Sequence, residues 1–101
     1  MFLHHVFFTL KNPNNAAERQ QLIDGLNTLR SVQTIKLIHI GQPAATDRDV
    51  IDRSYSISWL LIFENLADEE VYQVHPLHLK FVENCKHLWS KVVVYDSVSA
   101  A

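Results

Sequence analysis

Glycine and proline are scarce, two and three residues in a chain of 101, and neither is concentrated in a run. Disorder and low-complexity repeats are thereby excluded, and the whole chain is expected to fold as one domain, residues 1–101. Cysteine is almost absent: Cys85 stands alone, which rules out an internal disulfide framework and suits a reducing compartment. On a helix it reads as a small, half-buried packing group rather than a nucleophile. Positive charge is neither abundant nor clustered. Nine Lys and Arg against eleven Asp and Glu leave a formal net charge of −2, so nucleic acid is not an expected partner. No apolar run approaches the roughly 18 residues of a membrane span, and Met1 to His5 carries no basic n-region. A soluble, cytoplasmic protein without a membrane partner is the expectation.

What is present is strong patterning. Phe2, His4, Val6, Phe8 and Leu10 alternate with Leu3, His5, Phe7 and Thr9, which makes Phe2 to Lys11 a strand with apolar groups on both faces. Asn12-Pro13-Asn14-Asn15 breaks it, and Asn14 or Asn15 is placed to cap a helix over Ala16 to Arg30. Leu22, Ile23, Leu26 and Leu29 form the apolar stripe of that helix. A second strand runs through Ile35, Leu37 and His39, alternating with Lys36, Ile38 and Ile40, and ends at Gly41-Gln42-Pro43. Ala44 to Arg53 is polar and reads as a surface loop. Tyr55, Ile57, Trp59, Leu61 and Phe63 share one face of a third strand.

Asp68, Glu69 and Glu70 sit near the start of a second helix, where the helix dipole favours acids. Pro76 predicts a break near His75 and a further helix from about Leu77 to Leu88. Lys91 to Asp96 is the last strand. The order β-α-β-β-α-β predicts an α+β fold, the ferredoxin-like sandwich in which both helices cover one face of an antiparallel sheet. The opposite face stays apolar, so two sheets are expected to meet in a homodimer, a dimeric α/β barrel.

The opening strand His4-His5-Val6-Phe7-Phe8-Thr9-Leu10-Lys11, the strand Tyr55 to Glu64, the run Tyr72-Gln73-Val74-His75-Pro76-Leu77-His78 and Trp89 with Val-Val-Val-Tyr-Asp together resemble the stress-responsive A/B-barrel family. The resemblance covers nearly the whole chain and implies the dimeric barrel. It does not imply one activity, since members include plant stress proteins, bacterial proteins with no assigned reaction and a plant polyketide cyclase. Carried over from that cyclase, the catalytic residues fall on His4, Tyr72 and His78. Register favours His4 over His5, because His4 shares its face with Val6, Phe8 and Leu10.

The chemistry so implied is proton abstraction next to a carbonyl: His78 as base, Tyr72 holding the carbonyl oxygen, His4 orienting or polarising it. Val6, Phe8, His75, Phe81 and Trp89 are expected to line a pocket for an apolar carbonyl or polyketide-like ligand. A structural reading stands beside this one. His75-Pro76-x-His78 can equally turn the chain and tie down a helix end, Tyr72 can be a satisfied buried phenol, His4 a bonded core-edge histidine, and the aromatics simple core. The protein is then a non-enzymatic stress or structural dimer. His4, His75 and His78 could supply three metal nitrogens only if they converged, and no Cys pair or His-Glu-x-x-His supports it. No metal and no cofactor are expected, since haem and flavin motifs are also lacking.

Overall fold

Each helix begins where a side chain takes over a backbone amide that the helix itself leaves free. Asn15 Oδ1 accepts from Glu18 N, Asn65 Oδ1 from Asp68 N, and His75 Nδ1 from Leu77 N. A computed structural model describes residues 1–101. The elements are β1 (Phe2–Leu10), α1 (Ala16–Asn27), β2 (Ile35–Gly41), β3 (Ile57–Phe63), α2 (Leu66–Gln73), α3 (Pro76–Cys85) and β4 (Trp89–Val98). Tight 3-10 turns at Thr28–Ser31 and Lys86–Leu88 extend α1 and α3. The expected helix to Arg30 therefore narrows after Asn27, and Leu29 is delivered to the core from the tighter turn.

The strands form one antiparallel sheet in the order β2-β3-β1-β4, the ferredoxin-like arrangement. Period-two alternation in β1 is complete: Phe2, His4, Val6, Phe8 and Leu10 are buried and the residues between them are half-buried. The buried set meets Leu22, Leu26 and Leu29 from the α1 region and Phe81, Cys85 and Leu88 from the α3 region in one core. Helix α1 approaches α3 so closely that a Cβ on Gly25 would lie 2.6 Å from Cys85 Sγ, which is why glycine interrupts an otherwise ordinary helix. Cys85 is buried and burial pushes its thiol pKa up, the character of a packing group.

Two details of register differ from the alternation expected of the sequence. A bulge at Lys36 places both Ile35, opposite Phe63, and Ile38, opposite Leu61, on the helix face, leaving Leu37 and His39 on the other. Regular pairing of β3 begins at Ile57, so Tyr55 does not join Trp59 on the inner face. Its ring packs instead against Phe7, with centroids 4.9 Å apart, on the side away from the helices. Ser56 explains the change: its N–H donates to Phe8 O and its Oγ accepts from Leu10 N, fixing the chain before the strand starts.

The molecule measures 36 × 34 × 17 Å, a slab about two layers thick. Helices cover one face of the sheet, and on the other only the segment with Asp52, Ser54 and Tyr55 reaches over Phe7 and Val93. β4 is an edge strand, and Val92, Val94, Tyr95 and Val98 on it are exposed. The segment from Gln42 to Ser56 carries no strand or helix, and Ala44 to Arg53 is exposed apart from a half-buried Ile51.

Candidate active site

Antiparallel pairing of β1 with β4 sets His4 opposite Asp96, and both side chains emerge toward the helices. His4 Nδ1 lies 2.6 Å from Asp96 Oδ1. A carboxylate only accepts, so Nδ1 carries the proton and donates. A second carboxylate, Glu69 Oε1 on α2, stands 3.7 Å from the same nitrogen. Glu69 is only 6% exposed, and its Oε1 also accepts from Gln73 Nε2 at 2.6 Å, one helical turn on.

Tyr72, on the same helix, points inward at 2% exposure. Its hydroxyl oxygen accepts from Trp59 Nε1 at 3.2 Å, which leaves its own hydrogen free to donate. Burial above all, with the nearby Glu69 charge, pushes the phenol pKa up to about 12, against a smaller lowering by the Trp59 bond. At neutral pH the group is therefore a hydrogen-bond donor and not a phenolate.

The break at His75 is where the chain turns from α2 into α3. Pro76 occupies the first position of α3, where its missing N–H costs nothing. One turn later His78 reaches back, and its Nδ1 donates to Gln73 O at 3.0 Å. Burial holds His78 below the ordinary imidazole range, opposed by that backbone bond and by Glu69 and reinforced by His4. A neutral ring with Nδ1 protonated keeps its lone pair on Nε2.

These groups meet at a cavity of about 260 Å³ between β1, β4 and the α2–α3 region. His4, Tyr72 and His78 line it together with Val6, Phe8, Phe81 and Trp89. The rings form a chain: His4 to Tyr72 at 6.0 Å, Tyr72 to His78 at 4.6 Å, His78 to Phe81 at 6.5 Å, Phe81 to Trp89 at 5.9 Å and Trp89 to Phe8 at 4.8 Å. The free Nε2 of His4 and of His78 has no protein partner, yet neither is sealed away, since Thr34 Oγ1 is the sole buried side-chain polar atom lacking a bond. Both rings line the cavity, and the protein engages neither Nε2.

Seven of the eight residues expected at the site are thus brought together, and His75 is not. Its Nδ1 is committed to the Leu77 amide as the α3 cap, and its backbone break is what aims His78. The structural reading holds for His75 and for one nitrogen of His78. Without His75 the proposed three-histidine cluster does not form, and no group of three His, Cys, Asp or Glu is arranged to hold a metal ion. Sequence reasoning missed Trp59, Gln73, Val82, Val92 and Val94 in the lining, and Asp96 and Glu69 behind His4. Asp96 was within reach, since it shares its alternation with Val92 and Val94. Glu69 was not, because an acid in the first turn of a helix ordinarily faces water.

The lowered His78 pKa has a consequence for stability. The unfolded chain titrates this group near 6.5, above the folded value, so below about pH 6.5 the unfolded state binds more protons. The stabilisation is present above that pH and lost as pH falls through the folded pKa. Urea midpoints measured between pH 7.5 and 5 should decline, and His78→Asn, which retains a donor toward Gln73 O, should flatten the decline. An equal slope in both proteins would show that His78 is not the group responsible.

No helix is long and apolar enough to cross a membrane. The family model described as the stress responsive A/B barrel domain matches residues 2–99. Among solved structures, a protein of that family with a ferredoxin-like fold from Mesorhizobium loti is 22% identical, with a TM-score of 0.82 over 99% of this chain and 97% of that one. A hydroxynitrile lyase from Passiflora edulis is 21% identical, with a TM-score of 0.79 over 99% of this chain and 94% of that one. A dimeric ferredoxin-like protein of unknown function from Thermobifida fusca is 16% identical, with a TM-score of 0.78 over 97% of this chain and 90% of that one. At these identities the likeness is one of fold. No curated protein matches the chain.

Proposed function

We propose, for a chain that belongs to the stress responsive A/B barrel domain family, a dimeric small-molecule-binding function with acid–base chemistry: enolisation, and in a polyketide-like ligand cyclisation, of an apolar carbonyl compound. The observation that carries this reading is the convergence of His4, Tyr72 and His78 on one aromatic-walled cavity, with both imidazole Nε2 atoms unpartnered. His78 Nε2 takes the proton from the carbon next to the carbonyl, and the C–H electrons move onto the carbonyl oxygen. The Tyr72 hydroxyl donates to that oxygen as it gains charge. Gln73 O steadies the Nδ1–H side of the imidazolium, and Asp96 fixes the His4 ring so that it orients the same carbonyl. The enolate carbon then recovers the proton from His78, or attacks a second carbonyl in the ligand, whose C=O π bond breaks and whose oxygen takes the proton from His78. A hydroxynitrile lyase among the structural neighbours supports the choice of an enzyme over a scaffold.

The dimer belongs to the same proposal. Leu3, His5, Phe7 and Thr9 of β1 and Val93 and Tyr95 of β4 line the uncovered face, and a second copy laid sheet to sheet removes that surface from water. Neighbours of the same fold described as dimeric support it.

The direct test is exchange of the methyl protons of acetophenone in D2O, followed by NMR. Wild-type protein should accelerate exchange, and His78→Asn, which keeps a donor for Gln73 O, should slow it by about 10²–10⁴-fold. Equal rates in the two proteins would remove His78 as the base.

A further inference from the structure

We infer that the cavity selects uncharged ligands over anions and that Glu69 is the residue that sets this selectivity: a one-ring ketone or aldehyde enters, and a carboxylate of the same size is refused. The inference rests on the ligand-site reading above and narrows it to a ligand class.

The charges around the cavity are unbalanced. No lysine or arginine lines it. From β4 comes Asp96, from α2 Glu69 and the protonated Tyr72, from β1 His4 and from α3 His78. Two lysines on the flanking elements line other clefts. Lys80 of α3 lines a separate cleft beside Gly25 and Cys85, and Lys91 of β4 lines the groove on the uncovered face of the sheet. Both carboxylates approach His4 on its Nδ1 side, at 2.6 and 3.7 Å. Their charge therefore sits directly behind the ring whose other nitrogen faces the ligand.

Glu69 matters more than its distance suggests. Asp96 is half-exposed, with side-chain exposure of 46%, so water screens it, whereas the Glu69 side chain is 7% exposed. The only hydrogen-bond donor on Glu69 is the neutral amide of Gln73, which holds the carboxylate without cancelling its charge. A ketone oxygen needs only the Tyr72 hydroxyl and an imidazole. A ligand carboxylate brings a full charge to within about 6–8 Å of a poorly screened one, worth roughly one to two factors of ten in affinity. The volume of about 260 Å³ lies just below the ~300–1,000 Å³ of drug-sized sites and has room for a one-ring ligand between Phe8, Phe81 and Trp89.

Acetophenone and benzoate are matched in size and differ in charge, and they supply the test. Both are titrated at pH 7.5 into wild-type protein, Glu69→Gln and the exposed control Glu70→Gln, with amide NMR shifts as readout. Acetophenone should bind wild type about tenfold or more tightly than benzoate. Glu69→Gln, which is isosteric and can still bond Gln73, should close most of that gap by strengthening benzoate, and Glu70→Gln should leave it as in wild type. Equal binding of the two ligands by wild type, or an unchanged gap in a folded Glu69→Gln, overturns the inference while the ligand site stands. Binding of neither ligand at millimolar concentration overturns the site itself and the inference with it.

Discussion

Trp59→Ala is expected to cost about 3–5 kcal/mol of stability, the range for emptying a buried indole site. Trp59 is 1% exposed at the centre of the inner sheet face, where its backbone pairs with Val6 on one side and Ile40 on the other. A chain of this size holds about 5–15 kcal/mol in total, so the loss would take about a fifth or more of it. Urea unfolding followed by far-UV circular dichroism measures the change without depending on tryptophan emission. The indole also donates to Tyr72, and Trp59→Phe separates the two roles. It keeps most of the ring volume but leaves the Tyr72 oxygen without its donor, at about 1–3 kcal/mol. If Trp59→Phe instead lies within about 0.5 kcal/mol of wild type, as surface changes do, the Trp59–Tyr72 bond contributes nothing to stability.

The same residue shows what the sequence made legible. Strict alternation groups Trp59 with Ile57, Leu61 and Phe63 on one face, because period-two patterning is a local property that the backbone obeys in any sheet; that this face is the inner one comes from the helices packed on it. His4 was separated from His5 by the same logic, and the cavity contains the one and excludes the other. Asn14 or Asn15, of which Asn15 is the cap, and Pro76 mark helix starts because capping is also local. What local pattern does not carry is a defect in register or a partner far along the chain. The bulge at Lys36 and the Phe7–Tyr55 contact both arise from neighbouring strands. Asp96 lies 92 residues from the His4 it anchors, and Glu69 is turned inward by α2 packing on β1 and β3. His75 is ambiguous in the sequence for a related reason. A histidine beside proline at a helix start serves as a ligand or as a cap, and only the orientation of the ring toward Leu77 N decides between them.

Phe7→Asp is expected to convert the protein from two copies to one in sedimentation velocity. Phe7 is central on the uncovered face, with ring centroids 4.3 Å from His5, 4.9 Å from Tyr55 and 5.9 Å from Tyr95. Alone, that cluster would leave a broad apolar surface in water, which monomeric proteins seldom tolerate beyond a few hundred Å². The proposed sheet-to-sheet association would cover it, and a specific interface of this kind buries about 800 Å² on each partner. Two-fold symmetry then makes the substitution act twice, with two aspartates placed in one dry contact that already holds Asp52 and has Lys91 as the one lysine or arginine in its groove. Several kcal/mol lost at the interface corresponds to a dissociation constant raised by about a thousandfold or more. His78→Asn, on the opposite side of the sheet, should sediment as wild type does, because the cavity and the uncovered face share the strands but not the side chains that line them. A dimer that survives Phe7→Asp unchanged would mean that the copies meet elsewhere, and the exposed edge of β4, with Val92, Val94 and Val98, would become the surface to alter next.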